Sequence, residues 1–215
     1  MNSRKKFGIY TDKSENPVSL LKYSKSSCGV DFLLNTADSS EKRGWFDIDK
    51  RYKTDFFEFY FFHKAEGHMF LAGERVELKP YMALIISPFQ LQEWHVDISR
   101  LEYTFLVFQE EFINNFLSDK YFMYRLLYCY QHDYPTHFDM NAEDMQPYLR
   151  QLNCIKKELR EPMSDSYHMI VACLYQFLLR LNRLSASVFR SLPLSTITHT
   201  NISNFLKNIY LKKRA

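Results

Sequence analysis

Short apolar runs alternate with turns that contain glycine or proline throughout the segment Asp55–Phe112. An aromatic run at Phe57–Phe61 is followed by strand-like stretches at Arg75–Leu78, Leu84–Ser87 and Leu101–Phe108. Short runs rich in β-branched and aromatic residues, separated by Gly and Pro, are typical of a small β-sandwich or barrel. The segment therefore predicts one antiparallel β unit, and helical spacing begins only after it.

The composition is that of an ordinary globular protein. The chain has 215 residues, of which 46% are hydrophobic and 17% aromatic, enough to bury a core and to form either one domain or a domain plus a helical extension. No stretch approaches the ~20 consecutive apolar residues of a membrane span, and the basic N-terminus lacks the apolar segment of a secretory signal. We therefore expect a cytoplasmic protein that has no membrane partner.

Two long amphipathic helices are predicted after the β unit. Asn141 is a suitable N-cap for a helix that ends near Arg160, with carboxylates in its first turn and Lys156 on its exposed side. Asp165 or Ser166 is expected to cap a second helix that ends near Leu184. Its apolar stripe repeats at three- and four-residue steps and includes Ile170, Leu174, Phe177 and Leu181.

Several short motifs, taken together in chain order, resemble a known family. They are Glu66-Gly67, the run LAGERVELKP at Leu71–Pro80, Ile86-Ser87-Pro88, Glu93-Trp94 and the run YTFLVFQEEF at Tyr103–Phe112. This order resembles the N-terminal cupin sensing domain of AraC-type bacterial transcription regulators, over roughly residues 55–186. The chain departs from the family in reading Tyr81-Met82 after Lys79-Pro80, where Gly-Asp is usual, and in lacking the Gly and His that often follow the later proline.

The resemblance implies an α+β fold, in which a cupin-type antiparallel β-barrel (a double-stranded β-helix) is followed by C-terminal helices. We place the arm and barrel at residues 1–118, a helical dimerisation segment at 119–190, and a linker with a first helix at 191–215. The implied function is effector sensing and dimerisation for a regulator whose helix-turn-helix DNA-binding domain is missing from this chain. A stand-alone cupin enzyme, an isomerase or oxygenase, is the alternative.

The helical stripe allows two interpretations. AraC-type sensing domains commonly dimerise through helices at this position, so the resemblance implies a homodimer formed by Ile170, Leu174, Phe177 and Leu181. Packing of the same stripe on the β unit within one chain is the alternative that apolar spacing leaves open.

Aromatic side chains mark the candidate ligand site. In AraC-type domains the positions that match Trp94, Tyr103 and Phe105 line the effector pocket, and we add Gln92 and Phe59 as ligand-binding residues. Phe59 belongs to a face that it shares with Phe57 and Phe61, which we expect to fill the barrel. The effector is expected to be small and uncharged or weakly polar. The alternative is that these aromatic residues only form the core.

No catalytic, metal or cofactor site is predicted. His63, His68 and His95 lie in or beside the β unit, but the H-x-H motif of metal-dependent cupins is absent from the sequence. The cysteines, Cys28, Cys129, Cys154 and Cys173, show no C-x-x-C spacing, which argues against a zinc ribbon or redox pair. The formal net charge of +3 is too small to indicate DNA binding by this chain itself.

Overall fold

The structure, a computed structural model, describes residues 10–11, 18–21, 33–41, 51–114, 122–123, 126 and 136–191. These residues form three layers: a six-stranded sheet, a five-stranded sheet and a layer of helices on the outer side of the five-stranded sheet. The α+β class expected from the sequence is confirmed. The first helix predicted within residues 191–215 lies outside the described residues.

The strands of the described regions are β1 (Tyr10–Thr11), β2 (Ser19–Leu21), β3 (Leu34–Asp38), β4 (Arg51–Thr54), β5 (Phe57–Lys64), β6 (Gly67–Leu71), β7 (Glu74–Glu77), β8 (Met82–Ile86), β9 (Gln92–Val96), β10 (Glu102–Phe108) and β11 (His137–Asp139). The helices are a 3-10 turn at Ile98–Arg100, α1 (Glu110–Asn114), α2 (Ala142–Arg160) and α3 (Ser166–Ser191). Strands β9 and β11 were not expected from the sequence. None of the described helices is both long enough and apolar enough to pass through a lipid bilayer.

Neither sheet closes on itself. The six-stranded sheet has the order β1-β2-β4-β9-β6-β7 and the five-stranded sheet the order β11-β8-β5-β10-β3. Neighbouring strands are antiparallel except for β2 and β4, which pair in parallel. Because each sheet keeps two different edge strands, the described residues form two open, stacked sheets, and the closed cupin-type barrel is not confirmed.

The two faces of β5 lie in different cores. Tyr60 and Phe62 belong to the apolar cluster between the two sheets. Phe57, Phe59 and Phe61 point the other way, into the cluster between the five-stranded sheet and the helices. The expectation that the all-phenylalanine face fills a barrel was therefore wrong. Both faces of this strand are covered, so alternation along it did not indicate which face met which layer.

Helix α2 begins as the sequence predicted. The side chain of Asn141 accepts a hydrogen bond from the backbone N–H of Asp144 at 2.8 Å, which satisfies one of the free donors of the first turn. Lys156, expected on the exposed side, is instead 8% exposed. Its ammonium donates to Asp38 on β3 and, at 3.0 Å, to Glu41. Carboxylates on the neighbouring strand and turn explain why a lysine lies at this interface.

A candidate functional site around a buried glutamate

A carboxylate lies at the centre of the layer between the two sheets. Glu58 is on β5, the central strand of its sheet, and its exposure is 0%. It alternates along the strand with phenylalanines that face the helices, so its side chain points toward the six-stranded sheet. Placing a carboxyl group away from water is costly unless hydrogen bonds compensate it.

Three side chains from three strands supply those hydrogen bonds. Glu58 Oε1 accepts from Thr54 Oγ1 of β4 and from Gln92 Nε2 of β9, each at 2.7 Å. Glu58 Oε2 accepts from the Tyr60 hydroxyl at 2.6 Å. Gln92 Oε1 in turn accepts from Trp94 Nε1 at 2.9 Å. We call Thr54, Glu58, Tyr60, Gln92 and Trp94 the interior polar network.

This environment shifts the protonation equilibrium of Glu58. Burial raises the pKa of Glu58, and the hydrogen bonds from Tyr60, Gln92 and Thr54 counteract only part of that rise. A protonated carboxyl can both donate and accept, and the Tyr60 hydroxyl can serve as its acceptor after rotation. The network thus offers a buried carboxyl group, shifted by burial toward its neutral form, that can hydrogen-bond hydroxyl or amide groups inside an apolar layer.

The structure brings four of the five predicted ligand-binding residues together. Trp94, Tyr103 and Phe105 surround the Tyr60 ring, with ring-centroid distances of 5.3, 5.6 and 6.4 Å. Gln92 joins them through its bonds to Glu58 and Trp94. All four are at most 3% exposed, and burial raises the pKa of Tyr103 to about 12. Their role in ligand binding stays a prediction, and an effector would have to displace side chains that now pack against one another.

Phe59 lies apart from this group. It packs on the helical side of β5, with its ring 5.4 Å from that of Phe177 on α3 in an edge-on arrangement. Sequence reasoning also missed Glu58, Tyr60 and Thr54 as members of the site. The signal for Glu58 was present: a single charged residue interrupts the aromatic run FEFYFF at Phe57–Phe62, and such a residue in a doubly covered strand needs partners.

A surface pocket of about 200 Å³ lies elsewhere, along the six-stranded sheet. It is lined by Arg51, Phe70, Gly73, Leu91 and Glu93. Residues 51 and 93 alternate with Tyr52, Gln92 and Trp94, which face inward, so this pocket lies on the opposite face of the sheet from the interior polar network. None of the predicted ligand-binding residues lines it.

The three histidines do not converge on one point. His63 Nε2 lies 2.9 Å from Thr104 Oγ1. His68 and His95 are directly paired across β6 and β9 with stacked rings, and His95 Nε2 lies 2.9 Å from Glu93 Oε1. Within the part of the chain that the structure describes, no group of three or more His, Cys, Asp or Glu side chains is placed to hold a metal ion.

The helical stripe predicted for dimerisation is buried within the chain. Ile170, Leu174, Phe177 and Leu181 are all 0% exposed and belong to the core between α3 and the five-stranded sheet. Side chains already covered by their own chain cannot also form a subunit interface. The intramolecular alternative therefore accounts for the stripe, while the oligomeric state of the protein stays a prediction.

Comparisons with known proteins give limited similarity. No protein-family model matches the chain, and no curated protein matches it. Among solved structures the chain is similar to the apo form of a ToxT variant from Vibrio cholerae, with a TM-score of 0.40 and 9% sequence identity. That match covers 75% of this chain, and the chain spans 59% of the length of the ToxT structure.

Proposed function

We propose that this chain contains the effector-sensing and dimerisation domain of an AraC-type transcription regulator. In this proposal DNA is contacted by a helix-turn-helix domain outside residues 1–215. The order of motifs in Leu71–Pro80 and Tyr103–Phe112 supports the family, together with long helices that follow a β unit. The chain itself is not an enzyme in this proposal.

The observation that carries the sensing role is the interior polar network. An apolar side chain in place of Glu58 would fill the same layer without the cost of desolvating a carboxyl group. Groups with a strongly perturbed pKa and specific partners occur preferentially at functional sites. A buried Glu58 held by Thr54, Tyr60 and Gln92 therefore favours recognition over simple packing.

The chemistry of the network also limits the effector. The side chains around Tyr60 are aromatic, and burial shifts Glu58 toward its neutral form. Apolar faces with a few polar groups fit this environment better than a strong ion does. We therefore propose a small, uncharged ligand that carries hydroxyl or amide groups. On binding, its polar groups would replace the hydrogen bonds that Gln92 makes with Glu58 and Trp94.

Trp94 fluorescence tests the sensing role directly. The chain has two tryptophans, and Trp45 lies outside the described residues, so the Trp45→Phe variant leaves Trp94 as the only indole reporter. Titration with a panel of neutral sugars, amides and aromatic alcohols should change Trp94 emission and raise the unfolding midpoint for at least one compound, because a ligand of the native state stabilises it.

The matched variants are Glu58→Gln and Glu58→Leu. The amide keeps the shape and a bifunctional hydrogen-bonding group, so it should retain binding, whereas Leu should abolish it while the fold persists. A panel that leaves both emission and midpoint constant argues against a sensing role. Conversion of a panel compound into a product would instead favour the stand-alone enzyme.

The regulatory part of the proposal has a separate test. Sequencing of the reading frame beyond Ala215 should show a helix-turn-helix pair, and a frame without one would contradict the regulator. Sedimentation of the purified chain tests the homodimer, which must use a surface other than the buried stripe.

A further inference from the structure

Two cysteines on neighbouring helices are in contact. Cys154 lies on α2 and Cys173 on α3, and the Cys173 thiol donates a hydrogen bond to Cys154 Sγ at 3.1 Å. Both thiols are free and partly exposed. Sequence spacing alone argued against a redox pair, because the two cysteines lie on successive helices and are much farther apart in the sequence than in a C-x-x-C motif.

Polar contacts on both sides fix this juxtaposition. Toward the far end of the hairpin, Gln151 Nε2 donates to Gln176 Oε1 at 3.2 Å. Toward the connection, the Ser166 hydroxyl donates to Glu158. The cysteine pair lies between these two contacts along the same antiparallel helix interface. The contacts on either side therefore fix the alignment of α2 against α3 at the two cysteines.

We propose that Cys154 and Cys173 form a reversible disulfide that links α2 to α3 when the protein meets a hydroperoxide. A disulfide has an S–S distance of about 2.05 Å, so the sulfur atoms need to approach by only about 1 Å from their contact distance of 3.1 Å. This inference is independent of the proposed effector site.

The reaction proceeds in two balanced steps. The thiolate of Cys154 attacks the OH oxygen of the hydroperoxide and becomes a sulfenic acid; the O–O bond breaks, and the leaving hydroxide or alkoxide takes up the proton that Cys154 lost and departs as water or an alcohol. The Cys173 sulfur then attacks the Cys154 sulfur, the S–O bond breaks, and the hydroxyl group leaves as water with the proton of the Cys173 thiol. In total, two thiols lose two electrons and two protons, and the peroxide is reduced.

The environment of Cys173 determines the order of these steps. Burial, followed by the hydrogen bond and the charge of Cys154 and the charge of Glu158, raises the pKa of Cys173 to about 12. Cys173 is therefore a poor first nucleophile. Conversion of Cys154 to the neutral sulfenic acid removes the part of this rise that comes from its thiolate, so Cys173 is better suited to the second step.

The test uses the whole 215-residue chain and hydrogen peroxide. The parent is the Cys28→Ser/Cys129→Ser variant, which keeps only the pair, and the matched controls add Cys154→Ser or Cys173→Ser. After peroxide treatment the parent should lose both free thiols, give one cross-linked peptide lighter by two hydrogen atoms, and recover both thiols with dithiothreitol. Neither control should form an intramolecular cross-link.

Wild-type protein mapped by mass spectrometry under non-reducing conditions gives the same answer if the parent variant folds poorly. A peptide that joins Cys154 to Cys173 supports the proposal in either protein. Persistence of both thiols in excess peroxide, sulfinic acid at either cysteine without a cross-link, or pairing of Cys154 or Cys173 with Cys28 or Cys129 would overturn it.

Discussion

Replacing Phe177 by alanine measures directly whether the helical stripe holds this chain together. Phe177 is 0% exposed, and its ring lies edge-on to Phe59, Phe61 and Tyr148 at centroid distances of 5.4, 5.8 and 5.9 Å. Truncation of a buried Phe costs about 3–5 kcal/mol, and each aromatic pair adds about 0.5–1.5 kcal/mol beyond its buried area. We therefore expect a loss near the upper end, about 4–5 kcal/mol in the free energy of unfolding.

Urea unfolding followed by circular dichroism gives the measurement. With a denaturant dependence of about 2–3 kcal/mol per molar urea, the expected loss lowers the midpoint by about 2 M. Met169 on the same helix is 43% exposed, so the control Met169→Ala should stay within about 0.5 kcal/mol of the wild type. The experiment is run at a low and a high protein concentration.

Two results would refute this reasoning. A Phe177→Ala protein with wild-type stability would mean that the ring is not buried in the helical core. A loss that changes with protein concentration would mean that Phe177 lies at a subunit interface, as the family resemblance first implied, because only an interface makes stability depend on concentration.

Three further changes test the polar groups and the turns. Burial raises the pKa of Glu58, so stability should fall as pH rises from the ordinary glutamate value through the folded pKa; Glu58→Gln should remove this slope in urea midpoints, and an unchanged slope would contradict the assignment. Lys156→Met should cost about 1–3 kcal/mol at neutral pH. Burial raises the pKa of Asp38, but the hydrogen bonds from Lys156 and Thr104 and the charge of Lys156 lower it overall. The cost of Lys156→Met should therefore shrink as pH falls through the folded pKa of Asp38. A cost that does not change with pH would count against the Lys156–Asp38 ion pair. Gly67→Ala should destabilise the protein more than Gly73→Ala, since both glycines have positive φ but only at Gly67 would a Cβ lie 2.5 Å from a backbone oxygen. Thermal unfolding of the two variants measures the difference. Equal losses of stability would show that the steric contact at Gly67 adds nothing to the cost of the backbone φ strain.

The sequence predicted the types of the secondary-structure elements better than it predicted which layer of the protein each strand or helix face packs against. The cap at Asn141, the helix that ends at Arg160 and the strand that ends at Phe108 were all indicated by local chemistry. Strand β9 was missed because Gln92–Val96 mixes polar and aromatic residues without a β-branched run. Local patterns report periodicity, and the layer that covers a face is decided by distant parts of the chain.

The candidate site shows the same division between local and distant information. Alternation correctly grouped Tyr103 with Phe105, and both lie near Tyr60. It could not decide that Glu58 would share a network with Gln92, because that contact requires the stacking of two sheets. The Cys154–Cys173 contact likewise depends on the helix register, which spacing along the chain does not reveal.

Strand β5 has a mechanical consequence, because one backbone is shared by two packed layers. Tyr60 contacts Trp94 in the layer between the sheets, while its neighbours Phe59 and Phe61 contact Phe177 in the helical layer. Peptide units are rigid, and consecutive Cα atoms stay about 3.8 Å apart, so a displacement of the strand at Tyr60 must move both phenylalanines. A molecule that enters between the sheets and displaces β5 would therefore also displace the phenylalanine side chains on which α3 packs. A change in one layer would reach the other through the strand itself, without a hinge.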